Sequence, residues 1–226
     1  AKDDVSITTG DASASVSQIA TKTATINAAA MDDNNTLTLS GAGSFIVNNL
    51  VADLNGSAVT GTIDVTAGAG SQSITGGSGN DTITGGADAD VLIGNDGNDV
   101  FLIASNLDHG AETITGGIGT DVIRFTSTTT GETLVLSNVV TLVEQAWISS
   151  STGDITGTAA VSIDATSAVG GIALYGNAGN NVLTGNIEAN LIVAGSGNDT
   201  ISAGFGNDTL QGGLGADSLD GGDGND

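Results

Sequence analysis

Residues 76–102, GGSGNDTITGGADADVLIGNDGNDVFL, set down an aspartate every nine residues, at Asp81, Asp90 and Asp99. A glycine-rich turn precedes each aspartate and a short apolar stretch follows it. The chain carries 3 Lys+Arg against 26 Asp+Glu, a formal net charge of −23. Further carboxylates at a fixed pitch add like-charge repulsion. The pattern therefore predicts that positive charge from outside the chain belongs beside them.

Outward from this stretch, nine-residue frames start at Gly76, Gly85 and Gly94, and again at Gly176, Gly185, Ala194, Ala203, Gly212 and Gly221, with a lone copy at Gly116. The sixth position reads Asp81, Asp90, Asp99, Asp121, Asn181, Asn190, Asp199, Asp208, Asp217 and Asp226. The eighth is always apolar: Ile83, Leu92, Phe101, Ile123, Leu183, Ile192, Ile201, Leu210 and Leu219. A short fixed period marks a stacked repeat. Regular glycines supply backbone with φ > 0. Strand side chains alternate faces, so in Thr82-Ile83-Thr84 the isoleucine points in and the threonines out. Turn plus short strand, repeated, predicts an all-β fold, a flattened parallel β-solenoid or β-roll with two nonamers per coil. Each coil buries its apolar face only against the next.

Residues eighteen apart then lie one above the other, Asp81 over Asp99, Asp199 over Asp217 and Asp208 over Asp226. Strands of neighbouring coils are ~4.8 Å apart, which brings carboxylates together unless a cation lies between them. Hard oxygen donors and carbonyls exposed by glycine turns favour Ca²⁺, with its ~2.3–2.6 Å bonds, over the tighter, water-retaining Mg²⁺. With no Cys and one His, zinc is disfavoured.

The pattern GGxGxDxUx resembles that of the RTX family, the secreted calcium-binding β-roll proteins. The resemblance covers residues 76–102, 116–124 and 176–226, roughly two-fifths of the chain. It implies calcium ligands at Asp81, Asp90, Asp99, Asp121, Asp199, Asp208, Asp217 and Asp226. It adds the turn carbonyls of Gly76, Gly79, Gly97, Gly197, Gly206, Gly215 and Gly224, and several Ca²⁺ ions in all. It also implies export by a type I system with an uncleaved C-terminal signal, an end expected to lie beyond GGDGND, where the repeat breaks off. The chain departs from the pattern at Asn181 and Asn190, which remove a charge, and at Glu188, which stands where glycine is usual. Sites pairing Asn181 with Asp199, or Asn190 with Asp208, are expected to be weak or empty. Asp90 has Gln72 one coil below and Asp108 one coil above.

Four segments are expected: an N-terminal β-rich segment of β-helix coils at 1–66, a first calcium β-roll at 67–102, an intervening β-helix at 103–175 holding the lone repeat, and a second calcium β-roll at 176–226. Val65, Ile74 and Ile83 keep a nine-residue phase, so the solenoid begins before the aspartates do. A β-sandwich is the rival for 1–66, and residues 28–35, AAAMDDNN, read as a helical turn or a loop.

Composition bounds the function. So few basic residues exclude a conventional nucleic-acid surface. No run approaches the ~18 apolar residues of a membrane span. There is no HExxH, and the only histidine, His109, lies in a polar loop, so the chain is read as non-enzymatic. Trp147, in a hydrophobic run, is assigned to the core rather than to a sugar platform. Arg124 is expected to neutralise a carboxylate or to point to solvent. The favoured reading is a secreted, cell-surface structural module of a surface layer, adhesin or matrix filament. It would fold on calcium and self-associate, without membrane insertion. The alternative is a calcium-binding secretion and folding appendage of an exported hydrolase or toxin.

Overall fold

The computed structural model describes residues 5–8, 10, 12–18, 22–105 and 112–226. Asp108 and His109 lie outside the described residues. Every regular element described is a β-strand, and the strands divide into two compact units, Ala1–Phe101 with Gly110–Asp121, and Leu102–His109 with Val122–Asp226.

In the first unit, one parallel sheet runs Val5–Thr8, Thr23–Asn27, Ser44–Leu50, Ile63–Ala67, Thr82–Thr84 and Val100–Ile103, the last two residues of which fall in the second unit. The other sheet runs Ala14–Gln18, Thr36–Gly41, Asp53–Val59, Ser73–Thr75, Val91–Asp96 and Thr113–Ile118. Strands consecutive in the chain alternate between the sheets, so each coil crosses both. Val65 pairs with Ile83, eighteen residues on, and Ile74 lies between them in the opposite sheet. The parallel pairing of the strands before residue 67 is that of solenoid coils and not of a sandwich. Residues 28–35 form turns without a helix and tuck Ala28 and Met31 into the core.

The second unit repeats the arrangement. One sheet holds Val122–Phe125, Gln145–Ile148, Ala173–Tyr175, Leu191–Ser196 and Thr209–Leu214, and the other Thr133–Val135, Ser162–Asp164, Val182–Thr184, Thr200–Ser202 and Ser218–Asp220. From Ala173 onward the first sheet advances eighteen residues per coil.

Both cores are thin files of aliphatic side chains. Ile74, Ile83, Leu92, Phe101, Ile123, Leu183, Ile192 and Ile201 are all buried, each flanked by outward neighbours. Each such side chain contributes roughly 1.5–3 kcal/mol on burial, and only because a coil is stacked on either side. Trp147 departs from its expected place: in Gln145–Ile148 the buried residues are Ala146 and Ile148, and the indole faces outward against Tyr175. The run is apolar, but the two-residue strand period gives its odd member to the outer face. Arg124 also faces outward, and its Nη1 donates to the Ser151 carbonyl at 2.6 Å rather than to a carboxylate.

The fourth-position glycines serve two needs. Gly97 has φ 120°, and a methyl group there would collide with the carbonyl oxygen of Gly79. Gly79 has no positive φ, yet a methyl on it would strike the Gly61 carbonyl in the same way. Close approach of coil to coil, as much as backbone conformation, excludes a side chain here. Gly97→Ala is expected to cost at least about 1–2 kcal/mol. Its calcium-saturated thermal unfolding should shift down by several degrees, and an unchanged Tm would contradict the stacking.

Candidate metal centre

Turn and strand together position the sixth-position side chains. The turn reverses the chain, and the first residue of the next strand follows at once, so the aspartate points back under the coil and not out to water. Asp81, Asp90, Asp99, Asp121, Asp199 and Asp208 are all buried. In the first unit the backbone N–H of Ile63 donates to Asp81 Oδ1, that of Asp81 to Asp99 Oδ1, and that of Asp99 to Asp121 Oδ1, each at 2.7 Å. On the other edge the Gln72 N–H donates to Asp90 Oδ1 at 2.7 Å. In the second unit the Asn181 N–H donates to Asp199 Oδ1 and the Asp199 N–H to Asp217 Oδ1, at 2.7 and 3.0 Å. The Asn190 and Asp208 amides donate to Asp208 and Asp226 in the same way, at 2.7 and 3.0 Å.

This geometry refines the picture of bare stacked carboxylates. One oxygen of each aspartate is held by the amide of the preceding coil, so a peptide dipole already separates neighbours in the column. The second oxygen is the unmet demand. Oδ2 of Asp90, Asp99, Asp199 and Asp208 is buried with no hydrogen-bond partner. A buried acceptor left so costs free energy, more when it is charged. Asp81 differs, because the Gly77 N–H donates to its Oδ2 at 2.6 Å. First-position glycines make room for that oxygen. A methyl at Gly76 would lie 2.5 Å from Asp81 Oδ2, and Gly85, Gly94, Gly212 and Gly221 stand in the same relation to Asp90, Asp99, Asp217 and Asp226.

The predicted turn glycines fall on the same edges. The carbonyls of Gly79, Gly197 and Gly206 face Gly97, Gly215 and Gly224 one coil on, and that of Gly97 faces Gly119. The Gly76 carbonyl instead accepts from Asn95 Nδ2 at 2.9 Å. The structure thus brings Asp81, Asp99 and Asp121 into one column with Gly79 and Gly97. Asp199 and Asp217 fall with Gly197 and Gly215, and Asp208 and Asp226 with Gly206 and Gly224. Among the described residues no three acidic or histidine side chains converge on one point. A cation would therefore take carboxylate and carbonyl oxygens together, a donor set suited to Ca²⁺ and poor for zinc. Orphaned carboxylate oxygens in glycine-cleared space fit such an ion.

Three features were not read from the sequence. Glu112, buried, takes the place in the Asp90 row that the eighteen-residue pitch gives to Asp108, because Val91 pairs with Thr113, a coil of twenty-two residues. The signal was present: Glu112-Thr-Ile-Thr-Gly-Gly copies Asp81-Thr-Ile-Thr-Gly-Gly. Beside the aspartates, fifth-position asparagines form a second, neutral ladder. The N–H of Asn98 donates to Asn80 Oδ1, of Thr120 to Asn98, of Asn198 to Asn180 and of Asn225 to Asn207, at 2.8–3.0 Å. Lastly, Asn181 and Asn190 replace more than a charge. Asn181 Nδ2 donates to the Val161 carbonyl at 2.8 Å and to Asn177 Oδ1 at 3.1 Å. Asn190 Nδ2 donates to the Glu188 carbonyl at 2.6 Å and to Asn186 Oδ1 at 3.1 Å. Where aspartate leaves an oxygen bare, the asparagine amide meets carbonyls with its own protons.

Burial pushes Asp81 and Asp90 up to about 6 and Asp99 up to about 7, against the pull of the donated amides. The charges of Asp81, Asp121 and Asp96 add to the rise at Asp99, and those of Glu112 and Asp88 at Asp90. Burial raises Asp199 in the same direction. Groups whose pKa is higher folded than unfolded contribute stability that is complete below the unfolded value of 3.8 and is lost as pH rises through 6 to 7. With chelator present, the β-sheet circular dichroism signal should therefore strengthen on acidification from pH 8 to 5. With calcium in excess it should change little. A chelated protein that lost β structure on acidification would refute the burial of these carboxylates.

Comparison with known families agrees with this geometry. A family model made of four copies of the RTX calcium-binding nonapeptide repeat matches at residues 66–101, 174–201 and 193–226. No curated protein and no solved structure matches the chain. The matched residues hold the column aspartates and glycines apart from Asp121 and Gly119, and RTX nonapeptides bind calcium, several repeats taking several ions. Over these residues the chain carries RTX calcium-binding nonapeptide repeats, set in a β-solenoid.

Proposed function

We propose that the chain is an extracellular structural module of a cell-surface layer, adhesin or matrix filament, which folds and assembles when calcium reaches it. The observation that carries this reading is the row of buried Oδ2 atoms without partners. A fold that positions charged oxygens, gives each half of what it needs and clears space with glycine is complete only with a cation. Ions would be held between coils along the Asp81–Asp99–Asp121 column, each taking no more than two of these carboxylates together with the Gly79 or Gly97 carbonyl. In the second unit they would be held by Asp199 and Asp217 with Gly197 and Gly215, and by Asp208 and Asp226 with Gly206 and Gly224. Asp90, beside Glu112, is a further candidate, and Gly76 has its carbonyl engaged. Bound there, Ca²⁺ neutralises carboxylates and ties one coil to the next. Its binding free energy then becomes folding free energy.

Without the ion, repulsion among 26 acids and the ordering entropy of a chain with 36 glycines work against the solenoid. At the ~10⁻⁴–10⁻³ M affinities of extracellular modules, the chain stays open where calcium is scarce and closes where it is abundant. That behaviour suits a protein exported unfolded. RTX repeats are typically found in secreted proteins, and in this reading the module binds and stiffens rather than catalyses.

A calcium titration after chelation at neutral pH tests the proposal by circular dichroism. β structure should appear cooperatively, and Asp99→Asn should weaken the apparent affinity about tenfold, or roughly 1.4 kcal/mol. Unchanged β content in chelator would overturn calcium-coupled folding. Electron microscopy of the calcium-saturated protein addresses assembly: filaments or sheets are expected, and a uniform monomer would refute self-association.

A further inference from the structure

The only arginine, the only tryptophan and the only tyrosine of the chain stand on three consecutive rungs of one sheet of the second unit. Arg124 pairs with Trp147, and Trp147 with Tyr175. All three point outward, since their strand neighbours Ile123, Phe125, Ala146, Ile148 and Leu174 fill the core. The two rings lie with centroids 4.8 Å apart and planes tilted by 46°. Trp147 Nε1 donates to Gln145 Oε1 at 2.9 Å, which fixes the indole on the sheet. Of the four phenylalanines, Phe45, Phe101 and Phe125 are buried and Phe205 is exposed. An outward Trp–Tyr pair leaves apolar ring surface in water without serving the core.

The coils carrying this pair are also among the longest. Later coils advance eighteen residues, but Val122 pairs with Gln145, twenty-three on, Gln145 with Ala173, twenty-eight on, and Thr133 with Ser162, twenty-nine on. Surplus residues at 126–132 and 149–160 leave the sheets and wall a cleft of about 580 Å³. It opens where the same three strands end: Thr126 and Ser127 follow Phe125, Ser149 and Ser150 follow Ile148, and Asn177 lies two residues after Tyr175. Its side chains are mostly hydroxyls, with the Asn177 amide, the single carboxylate of Asp154 and the apolar Ile148 and Ala159. Arg124, donating to the Ser151 carbonyl, pins the wall to the aromatic face. Enlarged turns on a repetitive scaffold are where binding sites are built, and the cleft falls within the ~300–1,000 Å³ of small-ligand pockets.

We propose that this face of the second unit, the Trp147–Tyr175 platform and the adjoining hydroxyl-lined cleft, binds neutral glycans. Aromatic faces stack on the apolar face of a pyranose ring, and serine, threonine and asparagine match sugar hydroxyls as donors and acceptors. The charge of −23 disfavours acidic polysaccharides and nucleic acids. Arg124 is a positioning residue, since its guanidinium is committed to the wall. The proposal does not depend on calcium coordination by the aspartate columns, because none of these residues belongs to them.

Because Trp147 is the sole tryptophan, intrinsic fluorescence reads this site alone. The calcium-saturated protein is titrated to millimolar with hexasaccharides of glucose, mannose, xylose and N-acetylglucosamine, with oligogalacturonate as the acidic comparator. A saturable shift in emission with at least one neutral sugar is expected, with none from oligogalacturonate. Calorimetry should then show binding lost in Trp147→Ala, weakened severalfold in Tyr175→Ala and largely kept in Trp147→Phe. Circular dichroism of each variant should match that of the parent. No response to any neutral hexasaccharide, binding that survives both alanine variants, or preference for the uronate would overturn the proposal.

Discussion

One oxygen in each coil governs this fold. The sixth-position carboxylate is carried under its coil, where one oxygen receives the amide of the coil before and, at Asp90, Asp99, Asp199 and Asp208, the other has no hydrogen-bond partner. The amide bond is worth about 1.5–3 kcal/mol as a bond to a charged acceptor, and it sets the register of every turn. The bare oxygen reverses part of that gain, because burying an uncompensated charge is costly. Register and instability thus arise from the same side chain, and a cation or a proton removes the instability without disturbing the register.

The two ladders divide the work between charge and geometry. Fifth-position asparagines accept from the next coil while sixth-position aspartates accept from the previous one. Each turn is therefore bonded in both directions, and only one of the two bonds carries a charge. Asn181 and Asn190 show what a turn needs without a metal. The side-chain N–H₂ reaches carbonyl oxygens of its surroundings and closes the valences that aspartate leaves open. These coils precede the aspartate columns of the second unit, so each column rests on a rung whose side-chain amide is already satisfied. A cation binding to the first column then meets a neighbour already in register.

The repeat made much of this legible. Period two within Thr82-Ile83-Thr84 gave the inward isoleucine, and period eighteen gave the columns, because both follow from strand geometry alone. The coil pitch held wherever turns were nonapeptides and failed where they were longer. Glu112 took the row of Asp90 through a coil of twenty-two residues, which arithmetic at eighteen passes over. The amide between stacked aspartates was also missed, since a backbone donor leaves no mark in the sequence. Trp147 was misplaced for a related reason: an apolar run says that a strand is present, but not which of its two faces looks outward.

A solenoid of uniform coils offers uniform edges, and such a surface can hold ions and stack on its own kind. Recognition of something else needs a break in the repetition. In this chain the largest break lies between Val122 and Ala173, where the pairing offset along one sheet reaches twenty-eight and the chain places its one arginine, one tryptophan and one tyrosine on the surface. The aspartate columns have less freedom: extra residues are accommodated between them, as in the twenty-two-residue coil from Asp99 to Asp121, but each carboxylate stays on its amide. Constraint therefore divides the sequence: the calcium tracts keep glycine, aspartate and an aliphatic residue in fixed places, and the interval between them is free to acquire an aromatic face. The composition that makes the tracts easy to recognise, poor in rings and in positive charge, is also what makes one arginine, one tryptophan and one tyrosine on adjacent rungs informative.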